Sequence, residues 1–383
     1  MRRQKFMLVL LVFIVLIVWG IRNCSSGPDR VTTSPDYLNS SLNIHQRVND
    51  LMERMSLQEK VGQMCQYVGL EHMKLAEQRI GISGLQDNDA LAFYPGVSRD
   101  SVAKLIIKGA IGSVLHVVTA DEANELQKLA QQSRLKIPLL VGIDAIHGNG
   151  LVEGATIYPS PISQAATFSD SLVQVASRQT ALEMRANGMH WAFTPNIDLL
   201  RDPRWGRCGE TFGEDPLLVG NMGVATVKGL QNENQLGTNA VIACAKHLIG
   251  GGEPINGLNA APFDVGERTI FEMYLPPFKR AIKEGKVFSV MAAHNEVSGV
   301  PCHMNSQFLS RVLRGKWGFK GFYVSDWNDV KRIATWHHVA KNYKQAIQFA
   351  VDAGIDMNMH GPGFDVHVLQ LVKEGKLTVR RIN

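Results

Sequence analysis

Cysteine is scarce in this 383-residue chain: five residues, none in a CxxC pair or at zinc-like spacing. That excludes a small disulfide scaffold and a structural zinc module. Cys65 and Cys244 fall in apolar runs, where a thiol acts as a small buried hydrophobe. No GxxxxGK[ST] or GxGxxG cradle occurs, so a phosphate-gripping loop is not expected. Gly250-Gly-Gly252 beside Lys246 has the wrong spacing and lacks Ser/Thr, and suits a mobile loop. HExxH is missing too, and adjacent His337 and His338 on a helix cannot face one metal together. Neither a metal nor an organic cofactor is expected. A basic excess is also lacking. The net charge is +5, but Arg2, Arg3, Lys5 and Arg22 supply four of it, leaving a nearly neutral body. Nucleic acid is thereby excluded as the main partner, since phosphate binding needs a basic face.

What is present is ordinary globular material, 45% hydrophobic and 20% charged, with mean hydropathy near zero. Arg2, Arg3 and Lys5 precede an uninterrupted apolar run at 6–21, just short of a comfortable bilayer span. Residues 1–23 are therefore expected to be a signal peptide or membrane anchor, with 24–43 a polar linker. The protein is accordingly expected to be exported, to the periplasm or cell surface. Cys24, followed by serines, is a candidate for lipidation, although Arg22-Asn23 lacks the small residues of such sites.

From residue 44 onward short apolar runs alternate with helix-period stretches. The strand candidates are 63–68, 112–117, 138–143, 189–194, 241–245, 288–293, 322–325 and 355–358. Ser56…Glu59 and Thr119…Glu122 have capping-box spacing, and Gly188, Gly285 and Gly354 sit where helices should end. Eight strands alternating with helices predict an α/β fold, a (β/α)8 TIM-type barrel spanning 44–383.

Such a barrel carries its site at the carboxyl ends of the strands. Here those ends are polar: Asp144 and His147, Asn196 and Asp198 leading to Arg207, Lys246-His247, His294-Asn295, and Asp326-Trp327. One charged residue after a strand is ordinarily a cap or a salt bridge. Five such ends on one rim are hard to explain by stability, because clustered charges cost desolvation and repulsion. A dense array of donors and acceptors with an aromatic face suits a sugar, and Trp205 and Trp327 are the candidate faces.

The run Asn196-Ile-Asp-Leu-Leu-Arg-Asp-Pro-Arg-Trp-Gly-Arg-Cys-Gly-Glu-Thr-Phe-Gly-Glu-Asp215 resembles glycoside hydrolase family 3, which includes many β-glucosidases. Lys246-His247, Gly299-Val-Pro301 with Met304-Asn305, and Ser325-Asp326-Trp327 follow in family order. The resemblance implies a retaining exo-β-glycosidase, most simply a β-glucosidase, with Asp326 as nucleophile. It implies that Asp144, Arg207, Lys246 and His247, with His294 and Trp327, contact an oligosaccharide or β-glucoside. Glu210, Glu214 and Asp215 are expected to pair with nearby arginines. A β-xylosidase, a β-N-acetylhexosaminidase and a barrel that binds sugar without cleaving it are the alternatives. An aldolase-type lyase using Lys246 as a Schiff-base amine is disfavoured by the adjacent His247.

Three departures stand out. His294 occupies a position where many members carry Tyr. The loop at 250–259 lacks the Asp-Ser-His type of acid/base dyad, leaving Glu253 as a stand-in. Two-domain members carry the acid/base Glu on an α/β domain after the barrel, and this sequence stops at Asn383. A following α/β sandwich domain is expected to supply the acid/base.

Overall fold

The computed structural model describes residues 35–74, 94, 97–233 and 237–383. The leader, Cys24 and the linker up to residue 34 lie outside the described residues. The chain divides into two units, 1–55 and 56–383. In the first, the helix Ile44–Arg54 starts at an Asn43/Gln46 capping box and carries an Arg54–Asp50 ion pair.

Eight strands organise the second unit: β1 Cys65–Val68, β2 Ser113–Leu115, β3 Leu140–Ile143, β4 Trp191–Ala192, β5 Ile242–Leu248, β6 Ser289–Ala292, β7 Phe322–Val324 and β8 Asn358–Met359. They pair in the order β8-β1-β2-β3-β4-β5-β6-β7, and every pairing is parallel. A bridge from Val324 to Met357, with Ser325 N–H donating to Met357 O at 2.9 Å, joins the two ends. The expected (β/α)8 barrel is the fold.

Buried polar pairs tie strands together inside it. Trp191 Nε1 donates to Ser289 Oγ at 2.8 Å, and that hydroxyl donates onward to Ala243 O at 2.8 Å. Trp191 also meets Phe193 and Phe322 edge-on, with centroids 4.7 and 5.0 Å away. Gln66 Nε2 makes the matching link through Ser113 Oγ to Leu140 O.

Helix ends follow the sequence chemistry with instructive exceptions. The Ser56/Glu59 box forms reciprocally. Thr119 caps its helix, but Glu122 does not return the bond; its buried carboxylate accepts from Glu71 N–H at 3.0 Å, beyond β1. Gly188 and Gly354 have positive φ, whereas after Gly285 the left-handed residue is Lys286.

Two strands differ from expectation in ways that matter. β8 begins at 358 rather than 355, because the Asp356 carboxylate accepts Tyr323 N–H at 2.9 Å and pairs with Arg314 and Arg381. β5 runs on to Leu248, and its register against β6 shifts between Ala245 and Leu248. Strict alternation would send Lys246 and His247 to opposite faces. The shift relaxes that constraint at these two residues.

Replacing Ser289 by Ala leaves Trp191 Nε1 buried without its acceptor. The expected loss is about 1–3 kcal/mol of unfolding free energy. Urea titration of the wild type and Ser289→Ala checks this, and an unchanged midpoint would contradict it.

Candidate active site

The polar strand ends converge as barrel geometry requires. Asp144 directly follows β3, Lys246 and His247 lie within the end of β5, and His294 follows β6 by two positions. Asp326 and Trp327 follow β7, and Arg207 arrives on the long segment after β4. That segment stays in step with the barrel, since Ile197 N–H donates to Lys246 O at 2.7 Å. All seven of the candidate residues line one cavity of about 420 Å³, together with Glu210, Asn259, Ile146, Met291 and Met359. The volume suits a small-molecule ligand.

Two ion pairs and a histidine–carboxylate hydrogen bond form the polar wall. Lys246 Nζ, almost fully buried, lies 2.7 Å from Asp144 Oδ1, and His116 Nε2 lies 3.3 Å from Oδ2. Burial works to raise the Asp144 pKa, but Lys246 and His116 outweigh it and hold the carboxyl well below the usual range. Arg207 grips Glu210 through two nitrogens at 2.9 and 2.8 Å. Burial alone would loosen the Arg207 proton, yet Glu210 moves its pKa upward. His247 Nδ1 sits 2.7 Å from Asp198 Oδ2, and its Nε2 faces Arg207 Nη2 at 3.2 Å. Burial first, then Arg207, pushes the His247 pKa well down, so the ring is neutral. A neutral ring fits both contacts: Nδ1–H donates to Asp198 and Nε2 accepts from Arg207.

Asp326 is held differently. Its N–H donates to His303 Nε2 at 2.9 Å, and its Oδ1 accepts Trp327 N–H at 2.6 Å. Its Oδ2 is buried without a hydrogen-bond partner, 3.1 Å from His294 Nε2 and 3.5 Å from His247 Nε2. Burial favours protonation of Asp326, but the charge of His294, with Arg207 behind it, keeps its pKa below the ordinary value. His294 Nδ1 in turn lies 2.7 Å from Asp329 Oδ2. Burial would lower the His294 pKa, yet Asp326 and Asp329 together raise it.

Residues 56–383 match the model of the Glycosyl hydrolase family 3 N terminal domain. The chain belongs to this family. A putative beta-xylosidase of Formosa agariphila is 35% identical over 359 residues, which is 90% of this chain and 44% of the relative. A periplasmic beta-glucosidase of Salmonella typhimurium is 30% identical over 337 residues, 88% of this chain and 40% of its own. Among solved structures, a β-glucosidase from Erythrobacter marinus superposes with a TM-score of 0.78 at 33% identity, covering 91% of this chain and 45% of that one. The chain thus spans less than half the length of these relatives.

Several expectations fail within this family 3 barrel. Trp205 offers no stacking face: it is 1% exposed, and its Nε1 donates to Asn259 Oδ1 at 2.9 Å beneath the rim. Gly250-Gly-Gly252 is no open loop. A Cβ on Gly252 would lie 2.1 Å from Leu199 O, and one on Gly250 2.3 Å from the Phe263 ring. Glycine is needed there for close backbone approach. Among the described residues Asp215 pairs with no arginine but caps the helix Pro216–Leu230 through Leu218 N–H. Glu214 is exposed, and Glu210 does pair with Arg207. Glu253 is not among the cavity-lining residues.

Trp327 does line the cavity, its ring stacked on His116 at 5.6 Å and edge-on to His360 at 4.0 Å. Sequence reasoning missed His116, His303 and Asp329. His116 and Asp329 had a usable signal, since each falls within a few residues of a strand end. Among the described residues, His294, Asp326 and Asp329 are the group whose potential metal-ligating atoms come within 4.8 Å of one another. His294 Nδ1 and Nε2 lie 2.7 Å from Asp329 Oδ2 and 3.1 Å from Asp326 Oδ2, which links the three side chains to one another.

Burial lowers the pKa of His303 to about 4 and that of His360 to about 3. Both favour the native state fully above the unfolded histidine value, and that stability disappears as pH falls toward 4 and below. His294, with its raised value, acts oppositely and loses its contribution as pH rises. Unfolding free energy is therefore expected to drop between about pH 6.5 and pH 4, with His303 alone giving on the order of 3 kcal/mol. Urea midpoints across this window test it. His303→Gln, which keeps an acceptor for Asp326 N–H, should flatten the slope.

Proposed function

We propose that this chain is the nucleophile-bearing barrel of a retaining exo-β-glycosidase that removes terminal β-linked glucose. The supporting observation is Asp326 Oδ2, an ionised, buried oxygen without a hydrogen-bond partner on the wall of a sugar-sized cavity. An unsatisfied buried oxygen is costly, and a reacting role explains why it is retained. In this reading the Oδ2 lone pair forms a bond to the anomeric carbon as the bond to the leaving oxygen breaks. The leaving oxygen takes a proton from a carboxylic acid. Water, giving its proton back to that group, then attacks the same carbon and releases Asp326.

Asp144, Lys246, Arg207 and His247 hold the sugar hydroxyls in this reading, and Trp327 gives its ring face. The acid comes from outside the described barrel residues. Asp144 and Glu210 are held ionised by cations. Asp198, raised by burial to about 6, is sealed behind His247. A further domain supplies that acid, the protein is exported on its N-terminal leader, and it works in the periplasm or at the cell surface. β-Xylosidase is the second reading, favoured by the name of the Formosa relative.

In the full-length protein, Asp326→Ala is expected to lower kcat on an aryl β-glucoside by about 10⁴-fold or more. Turnover retained by that variant would overturn the assignment. Relative kcat/KM on aryl β-glucoside, β-xyloside and N-acetylglucosaminide decides the glycone.

A further inference from the structure

His294 lines the cavity, yet both of its ring nitrogens face carboxylates rather than open space. Nδ1 lies 2.7 Å from Asp329 Oδ2, and Nε2 lies 3.1 Å from Asp326 Oδ2. A neutral ring would leave an uncharged nitrogen 3.1 Å from a buried carboxylate oxygen, whereas a protonated ring places its charge against both carboxylates. The Nε2 contact also misses hydrogen-bonding geometry, because Oδ2 remains without a hydrogen-bond partner. The interaction is therefore one of charge, and the oxygen's lone pair stays available.

Asp329 is built to sustain this. It is 2% exposed, its Oδ1 accepts from Arg332 Nη1 at 3.1 Å, and His303 Nε2 stands 3.6 Å from its Oδ2. The backbone that carries the ring is fixed as well, since His337 Nε2–H donates to His294 O at 3.2 Å. On the opposing side stand Arg207, whose charge Glu210 matches, and the His247 ring stacked 6.1 Å away. Burial keeps His247 and His303 neutral, so two carboxylates face His294 against one compensated guanidinium.

We infer that His294 and Asp329 form a dyad that keeps a fixed cation against the free oxygen of Asp326, making His294 a positioning residue for the nucleophile rather than a sugar ligand. This rests on Asp326 being the nucleophile. The dyad keeps Asp326 ionised at mildly acid pH while leaving its attacking lone pair open. A neutral residue at 294 would supply no such charge, and Asp329 would then have no imidazolium to hold.

The test uses 2-deoxy-2-fluoro-β-glucosyl fluoride, whose fluoride leaves without an acid. The rate of covalent labelling of the full chain is followed by intact mass from about pH 4 to pH 8. In His294→Gln the acid limb should move up by about 1–3 pH units, a tenfold or greater loss of rate below the limb. A limb that stays in place overturns the inference. Independently, ¹⁵N-histidine spectra should show His294 as imidazolium in mildly acid wild-type protein, titrating at lower pH in Asp329→Asn. A wild-type His294 that is neutral there, or one unmoved by Asp329→Asn, also overturns it, even if His294→Gln does not fold. Failure of the wild type to label at any pH with this reagent and with its xylosyl counterpart would instead remove Asp326 as nucleophile, and the titration would still judge the dyad.

Discussion

Charge compensation within a buried rim is the constraint on which this site depends. Asp144, Glu210, Asp326 and Asp329 sit at the mouth of an apolar barrel, where an isolated carboxylate would simply take up a proton. Lys246, Arg207, His294 and Arg332 each stand against one of them within about hydrogen-bonding distance. Removing Arg207 strips Glu210 of its cation, whereas His294 and Asp329 each face two partners. The pairs therefore act together, and the position of any one of these side chains is set by the others.

The backbone is shaped to serve that web. A regular β5 would expose either Lys246 or His247 to the cavity, and the register shift at its end lets both contribute. The segment after β4 stays bonded to β5 through Ile197 and Lys246, which carries Asp198 to His247 and Arg207 to Glu210. Gly252 then lets the loop after β5 lie against Leu199, with Gly252 O accepting the N–H groups of Arg201 and Asp202. Two loops that a sequence reader would leave free are thus laced together beside the site.

The barrel was legible because its signals are local and repeated: apolar runs, caps and strand-end polarity each recur around the ring. Asp144, Lys246, His294 and Asp326 were legible as a group for the same reason. The dependence of Asp326 N–H on His303, which lies 23 residues earlier, has no local signature. The same holds for the burial of Trp205 under Asn259 and for the displacement of β8 by Asp356. Each is a contact between distant segments that the fold brings together, so periodicity and spacing carry no trace of it. The bulge in β5 is similar, being a relation between two strands rather than a property of one.

In the proposed mechanism, the electrostatics also explain why nucleophile and acid would belong on different elements. A nucleophilic carboxylate must stay ionised, and cations at the rim achieve this for Asp326 despite its burial. A general acid needs the opposite, burial without a neighbouring cation, so that its proton is retained near neutral pH. Among the described cavity carboxylates that environment does not occur: Lys246 and His116 depress Asp144, Arg207 depresses Glu210, and His294 depresses Asp326. Asp198 shows the alternative: only 3% exposed, with Oδ1 unpartnered, it rises to about 6, yet His247 stands between it and the cavity. One cationic rim cannot satisfy both demands. On the proposed reading, an acid approaching from a separate element, outside the reach of Lys246, Arg207 and His294, would resolve the conflict without weakening the web around Asp326.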